Sequence, residues 1–540
     1  MTYRYDPAAF RDVFEHRFTF IAGFWRNTHR YAERLALRDT SRGRDWTYAE
    51  LGDDVARVAA GLAARGVGPG DVVTFQLFNS AEFALLYLAS QHLGAIASPI
   101  NFRFSSGETA HVLDDSEPTV YVYDSALIET ATEALALAHH KPGTTLDVGS
   151  FDDLLADGEQ RVPYAGISAW SESTRLYTSG TTGLPKGVSL PVAAGVLTAH
   201  DVIMHFPLDP EDRTLNMTPW FHRGGISPGG PNAVFYAGAA AVTMRSFDPQ
   251  TCLDAVAENG LTFLIGAPTN LAMLAAAQEA GPRDLSSLRG LVTMGAPLER
   301  EACLRYQRVL TPRIMNGYGT TEMFWNTFLR PYDLPEHAGS AGRACTDDDV
   351  AVVRVYEDRL GDPDDTVARD GSETGEVIMR SLKSGYAYVN NDREQAAKFR
   401  DGWLYSGDLA TWDAQEYVTI VGRKDDMIIS GGENVHPVQV EEVLNEHPLV
   451  ADSIVVGLPD EHWGQIVVAY VLAAGDGLTA AALDKHAKAH PMLADYKRPR
   501  RYRFVDELPR TATGKKMHYV IRARLADPAE ADRLEAVPRQ

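Results

Sequence analysis

Leu176-Tyr177-Thr178-Ser179-Gly180-Thr181-Thr182-Gly183-Leu184-Pro185-Lys186-Gly187 packs four small hydroxyl residues, three glycines and one lysine between ordinary apolar segments. Glycines let backbone approach a polyanion closely. Exposed N–H groups and hydroxyls supply hydrogen-bond donors, and Lys186 adds a point charge. The stretch therefore reads as a phosphate-gripping loop. The P-loop of common NTPases is excluded, because Gly187 stands where that motif needs Ser or Thr after the lysine. A flexible Gly/Ser/Thr linker is the competing reading, but linkers seldom end in Pro-Lys-Gly.

Upstream, residues 46–101 read as an α/β unit. Thr47 and Glu50 form a capping box, and Leu51, Val55, Val58 and Leu62 follow on one helical face. Gly66 is placed to end that helix. A strand is expected at 72–78, a helix at 82–93 closed by Gly94, and strands at 95–100 and 119–123. The alternation implies a parallel, helix-covered sheet. Residues 124–165 read as helix and loop.

A chain of 540 residues exceeds one ordinary core, so two or more domains are expected. Its formal charge of −22 argues against nucleic acid or an anionic membrane as partner. Cys252, Cys303 and Cys345 show no CxxC spacing, so neither a disulfide framework nor a zinc site is indicated. No signal-peptide core is evident at Met1–Asp6, and the apolar run 233–244 is too short to span a bilayer. A soluble, cytoplasmic protein is the expectation.

Downstream, Met217-Thr218-Pro219-Trp220-Phe221-His222-Arg223-Gly224-Gly225 ends a strand in an aromatic-histidine-glycine turn. Strands at 261–265 and 290–294 each feed a polar or Gly/Pro turn, and Arg313-Ile314-Met315 runs into Asn316-Gly317-Tyr318-Gly319-Thr320-Thr321-Glu322. Ligands of open α/β sheets bind at the carboxyl ends of strands, so the unusual residues at four strand ends, near 178, 219, 266 and 316, point to one shared crevice. From about residue 350 the pattern turns to β segments at 350–356, 375–380 and 417–421. Tyr405-Ser406-Gly407-Asp408-Leu409 reads either as a diol-binding carboxylate after a tight glycine turn or as a turn-capping Asp. The charged segment 422–426 precedes a small α+β unit, with helices at 438–446 and 480–490 and strands at 452–457 and 465–472. Thr511-Ala512-Thr513-Gly514-Lys515-Lys516 lies near its end.

These stretches, in this order and spacing from Thr47 to Lys515, resemble the adenylate-forming superfamily of acyl-CoA synthetases, peptide-synthetase adenylation domains and luciferases. Within it, the run 422–437 is similar to CoA ligases acting on benzoate-type (aryl) acids. The resemblance implies an α/β fold. A large N-terminal domain of α/β-sheet subdomains plus a β-rich subdomain spans 1–422. A hinge at 423–426 then leads to a small mobile α+β C-terminal domain at 427–540. It implies ATP, Mg²⁺ and coenzyme A as cofactors and a small-molecule carboxylic acid as partner, without nucleic acid or membrane, and it allows a dimer.

By motif, the resemblance places Thr178, Ser179, Gly180, Thr181, Thr182 and Lys186 on the β- and γ-phosphates. Glu322 is the Mg²⁺ ligand and Thr321 meets the α-phosphate. Gly295, Ala296, Pro297, Asn316, Gly317, Tyr318, Gly319 and Thr320 form the nucleotide side, with Tyr318 against adenine. Asp408 takes the ribose hydroxyls with Arg423 nearby. Lys515 bridges the substrate carboxylate and α-phosphate, and Lys516 is a bystander. Asp425 is the hinge about which the small domain exchanges Lys515 for CoA. Gly431 and Gly432 line the pantetheine tunnel, where Trp463 packs; a buried core tryptophan is the alternative for that residue. His222 gates the acyl pocket or, less in keeping with the family, acts as a base.

The pocket should comprise Phe221, His222, Gly224, Gly225, Met294, Phe324 and Trp325, an aromatic and apolar set without an evident partner for a second charge. The expected reaction is formation of an acyl adenylate and then a CoA thioester, on an aromatic or cyclic apolar monocarboxylate. Medium-chain fatty acids are the next substrate class. Delivery to an amine, a carrier-protein thiol or nitrite-dependent diazotisation of an arylamine are competing chemistries. A non-catalytic adenylate-binding protein is opposed by the joint presence of Lys515, Glu322 and Asp408. Met294 and Ser406 depart from the commoner Gly and Thr, and the segment after Lys515 lacks the frequent arginine.

Overall fold

A computed structural model describes residues 6–155, 161–179, 184–356, 359–385, 387–430, 433–460, 463–490, 493, 495–511 and 514–537. Contacts divide the chain into two compact units. One comprises Met1–Ala338, Ala344–Asp349 and Met379–Leu404; the other comprises Gly339–Arg343, Val350–Ile378 and Tyr405–Gln540. The division thus falls before the expected 423–426 boundary. The physical reason is that helix Pro437–Asn445 packs on strand Val418–Arg423, tying the chain on both sides of that boundary together.

The first unit holds two sheets. In one, the spatial order is Ala387–Tyr388, Pro185–Pro191, Glu172–Ser179, Ile96–Pro99, Val72–Gln76, Val120–Tyr123 and Thr144–Asp147. From Glu172–Ser179 onward the neighbours are parallel. The expected helices cover it. Tyr48–Ala64 begins at the Thr47–Glu50 capping box, and Ala81–Leu93 ends at Gly94 in the left-handed conformation. Strand Thr144–Asp147 falls where only helix and loop were read. Strand Pro185–Pro191 pairs antiparallel with Glu172–Ser179, Thr178 facing Lys186, so the two ends of the opening motif lie side by side.

The second sheet runs Phe324–Leu329, Ile314–Thr320, Gly290–Met294, Phe263–Gly266, Arg213–Asn216, Ala240–Thr243, Leu35–Asp39 and Arg44–Thr47. The strands between Ile314–Thr320 and Leu35–Asp39 are parallel, so their carboxyl ends share one edge. The turns at 217–222, 267 and 295 leave from that edge. The strand ends near 219, 266 and 316 share this edge, whereas Thr178 belongs to Glu172–Ser179 of the other sheet. The Asn316–Thr320 motif continues its strand. Its glycines are needed sterically. A Cβ at Gly319 would lie 1.6 Å from the Phe324 carbonyl oxygen, and one at Gly317 would lie 2.6 Å from the Trp325 ring.

In the second unit, Trp403–Trp412 pairs antiparallel with Val418–Arg423. Asp408 therefore sits inside a strand, with Gly407 at φ +76° supplying the local kink, rather than in a tight turn. The C-terminal sheet is built on Gly464–Ala473, which pairs antiparallel with Val450–Asp460 and parallel with Arg501–Val505. Helices Pro437–Asn445 and Ala480–Ala489 bury Val440, Val443, Leu444, Leu483 and Ala487 against one face.

Candidate functional site

Lys186 stands two residues into strand Pro185–Pro191. Its ammonium pairs with Glu394, on the short helix Asp392–Lys398, and lies 5.5 Å from the centre of the Tyr388 ring. The Tyr388 hydroxyl donates to the Glu322 carboxylate. One tyrosine thus joins the two residues assigned to phosphate and metal. Strand Ala387–Tyr388 is positioned for this by pairing with Ser189 and Val188. Burial, and then the Glu322 carboxylate, push the Tyr388 hydroxyl far above its usual pKa, so it remains a donor.

The turn carrying Thr321 and Glu322 is held from beneath. Arg223 is buried and donates to the carbonyls of Thr321 at 2.6 Å and Glu322 at 2.9 Å, to the Lys383 carbonyl at 2.5 Å, and to Thr198 Oγ1 at 3.2 Å. Desolvation pulls its pKa down to about 9 despite the nearby Glu322 carboxylate. The Gly385 N–H donates to the Glu322 carbonyl as well. Tyr318, Gly319 and Thr320 lie partly exposed along the end of their strand. Gly295, at φ +89°, Ala296 and Pro297 turn away from Gly290–Met294 beside them.

Phe221 is buried, its ring 4.2 Å from the His222 ring and 5.2 Å from that of Phe102. His222 caps the turn Arg223–Ile226. A Cβ on Gly224 would meet Met294 Sδ at 2.9 Å, so glycine at 224 makes room for methionine at 294. One at Gly225 would meet the Pro219 carbonyl oxygen at 1.9 Å, so that glycine serves backbone packing. Phe324 and Trp325 point to opposite sides of their strand. Trp325 is buried and donates its indole N–H to Asp201, whereas the Phe324 ring lies 5.7 Å from the Arg223 guanidinium carbon and 5.9 Å from Lys383 Nζ.

Two buried cations therefore flank an aromatic set expected to have none. Both are committed. Lys383 pairs with Asp201 at 3.0 Å and Asp348 at 2.7 Å, and donates to the Trp325 carbonyl at 2.9 Å. Asp201 also accepts from His205, whose other ring nitrogen meets Arg330. Burial pushes the Asp201 carboxyl up, but His205 and Lys383 more than offset this and leave it below the usual range. Asp201, His205 and Cys345 have atoms close enough to share a metal ion. However, Lys383 and Arg330 already supply that cluster's positive charge, and burial holds the Cys345 thiol well above its usual pKa.

In the second unit, Asp408 Oδ1 and Arg423 Nη1 are 3.3 Å apart across paired strands. Ser406 in place of the commoner Thr keeps its hydroxyl engaged, donating to the Val377 carbonyl at 2.7 Å and accepting from the Asp408 N–H at 3.0 Å. Asp425 lies in the single 3₁₀ turn Lys424–Asp426. Trp463 is half exposed, which excludes the core-tryptophan alternative. Gly180, Thr181, Thr182, Gly431 and Gly432, and the side chains of Ser179 and Asp425, lie outside the described residues.

Lys515 has an exposed side chain, and residues 514–517 pair antiparallel with 509–511 as the two limbs of a hairpin. The Thr511 N–H donates to the Lys515 carbonyl at 2.8 Å, the Lys515 N–H to Thr511 Oγ1 at 3.1 Å, and the Met517 N–H to the Pro509 carbonyl at 3.0 Å. Lys516 points the other way, onto Glu441 at 2.8 Å and Asp452 at 3.0 Å. The two adjacent lysines are thus sorted into one exposed and one structural.

Arg223, Tyr388 and Glu394 escaped the sequence reading. A charged residue inside an otherwise aromatic and glycine turn was a signal for Arg223. The other two meet Glu322 and Lys186 only through the fold.

The model of the AMP-binding enzyme family matches residues 24–386, and that of the AMP-binding enzyme C-terminal domain matches 439–515. An indoleacetate–CoA ligase from Aromatoleum aromaticum is 34% identical over 481 residues, covering 87% of this chain and 92% of that protein. The structure of the anthranilate CoA ligase AuaEII in complex with anthranoyl-AMP superposes with a TM-score of 0.86 at 26% identity, over 95% of this chain and 98% of the other. That of o-succinylbenzoate CoA synthetase from Bacillus subtilis, in complex with ATP and magnesium ion, gives 0.80 at 28% identity over 94% and 99%. The matched segments contain the Lys186 strand, the Glu322 turn and Lys515, and on that footing this chain belongs to the family of AMP-binding enzymes.

Proposed function

We propose that the chain is an ATP-dependent carboxylate–CoA ligase that adenylates an aromatic or cyclic apolar monocarboxylic acid and transfers the acyl group to coenzyme A. The observation that carries this reading is the Lys186–Tyr388–Glu322 arrangement: a cation suited to phosphate and a carboxylate suited to a metal, joined through one side chain. The Glu322 carboxylate is a hard oxygen donor that fits Mg²⁺, which would supply charge neutralisation at the triphosphate.

A carboxylate is a poor acyl donor because oxide is a poor leaving group, and AMP replaces it. Carboxylate and triphosphate repel, so the residues must supply positive charge and fix their approach. In this reading Lys186 with Thr178 holds the phosphates that leave as pyrophosphate. Arg223 holds the Thr321–Glu322 turn under the α-phosphate, and Asp408 with Arg423 takes the ribose. Lys515, carried by the C-terminal segment beyond the Asp425 hinge, offsets charge as the carboxylate attacks. His222, Phe221, Gly224 and Met294 enclose the acyl group, with His222 as gate. Gly431, Gly432 and Trp463 meet pantetheine. Lys383 is held by Asp201 and Asp348, and Arg223 by backbone carbonyls, which favours an acid with a single charge.

The test is pyrophosphate release across a panel of arylacetates, benzoates, cinnamates and medium-chain fatty acids, with and without CoA, followed by mass analysis of the product. Thioester from an aromatic acid is expected. Adenylation without thioester would move the reading to another acceptor, and a fatty acid as best substrate would move the substrate class. Lys515→Ala should abolish acyl-AMP formation yet permit thioester formation from supplied acyl-AMP; equal loss of both half-reactions refutes its assignment.

A further inference from the structure

The hairpin that presents Lys515 is anchored on a carboxylate some seventy residues upstream in sequence. Glu441, on helix Pro437–Asn445, is buried. Its Oε2 accepts from Lys516 Nζ at 2.8 Å, and its Oε1 accepts from His518 Nε2 at 2.7 Å and from the Val455 N–H at 2.8 Å. The other limb is fixed to the same strand: Arg510 pairs with Asp452, which also takes Lys516, and Arg510 reaches the Gly514 carbonyl. His518 further faces Asp426 at 4.0 Å, and Arg522 pairs with Asp426 at 2.6 Å. Residues flanking Lys515 are therefore clamped inward while Lys515 itself is exposed.

We infer that Glu441 is the positioning residue for Lys515, fixing the hairpin by clamping Lys516 and His518 so that the Lys515 ammonium is offered in one place. Glu441 touches no substrate in this scheme. It acts through backbone: Arg510 holds Gly514 on one side of Lys515 and Glu441 holds Lys516 on the other, so the Lys515 Cα is fixed from both sides. A buried carboxylate bonded on both oxygens is suited to this, because releasing either cation leaves a buried charge incompletely matched. The inference rests on the adenylating role proposed for Lys515.

Its consequence is a split between half-reactions. Misplacing a reacting group by about 1 Å costs on the order of 10²-fold in rate. Glu441→Gln should therefore lower kcat for acyl-AMP formation by about 30- to 100-fold, leave KM for ATP and acid within about twofold, and spare thioester formation from supplied acyl-AMP and CoA. Lys516→Met keeps Glu441, Val455 and His518 in contact and guards against misfolding of the first variant; it should show the same split at about 10-fold. Glu441→Asp, shorter by one methylene, should recover part of the loss. Wild type and Lys515→Ala are measured alongside. If Lys515→Ala spares adenylation, the adenylating role falls and this inference with it. If Lys515→Ala abolishes adenylation while Glu441→Gln and Lys516→Met stay within twofold of wild type, or lose both half-reactions equally, only the positioning role is overturned.

Discussion

Replacing Arg223 by methionine separates folding from function at the Glu322 turn. The guanidinium is buried, and its pKa falls from 12.5 to about 9. At about 1.4 kcal/mol per unit, charging it costs roughly 5 kcal/mol. Against this stand its bonds to the carbonyls of Thr321, Glu322 and Lys383. Hydrogen bonds from a charged donor contribute about 1.5–3 kcal/mol each, roughly 5–9 kcal/mol together. Methionine removes the charging cost with the bonds but takes this donor from three carbonyls, at about 1–3 kcal/mol for each left unsatisfied, so the loss of stability exceeds that difference and urea unfolding is read first. The turn, however, loses its support from beneath. ATP–pyrophosphate exchange should drop by on the order of 10²-fold. The assays are urea unfolding and isotope exchange on the same preparation. A folded variant that exchanges within threefold of wild type refutes the supporting role.

Tyr388→Phe removes the hydroxyl bonded to Glu322 but leaves the ring against Lys186; half-saturating Mg²⁺ for exchange should rise about 3- to 10-fold, and an unchanged Mg²⁺ titration would show that the bond does not orient the carboxylate. Gly224→Ala puts a methyl against Met294 Sδ, and the flexible methionine gives way and moves within the pocket. KM for bulky aromatic acids should rise at least about 5-fold with KM for ATP unchanged, and Met294→Ala should restore it; a rise shared by both substrates sinks the pocket assignment. Stability should depend on pH through the Glu441 clamp. Burial lowers the His518 pKa, but Glu441 more than offsets this and leaves it raised above 6.5. Its contribution is therefore fully present below pH 6.5 and lost as pH rises through the folded value. Burial raises the Glu441 pKa, but Lys516 and His518 bring it to about 2 from 4.5, so its contribution is present above pH 4.5 and lost as pH falls toward 2. The urea midpoint should fall from pH 6 to pH 9, and His518→Gln should flatten that slope.

Motif chemistry was readable along the chain because each piece is local: a hydroxyl-glycine stretch, a capped helix, a glycine that must pass a carbonyl. Local signals misled where neighbours decide the backbone. Strand Pro185–Pro191 begins and ends in proline, yet pairing with Glu172–Ser179 on one side and with Ala387–Tyr388 at Val188 and Ser189 on the other makes it strand. Asp408 follows a left-handed glycine, the mark of a turn, but the partner strand Val418–Arg423 holds it extended. Tyr388 and Glu394 could not be found by any spacing rule, since they meet Lys186 from some two hundred residues away. Lys383 was invisible for the same reason, as Asp201 and Asp348 give it a buried place that no periodicity announces.

The Lys186–Glu394 pair makes the proposed binding of nucleotide an exchange of ions rather than a filling of an empty positive site. Incoming phosphate gains only the difference between its own attraction for the ammonium and that of Glu394. This keeps the ground-state complex shallow, and shallow ground states leave more of the available interaction for the transition state. The displaced carboxylate then stands beside the departing pyrophosphate as a competitor for the same lysine. Product escape becomes the reverse swap, with the protein supplying the replacement anion from within.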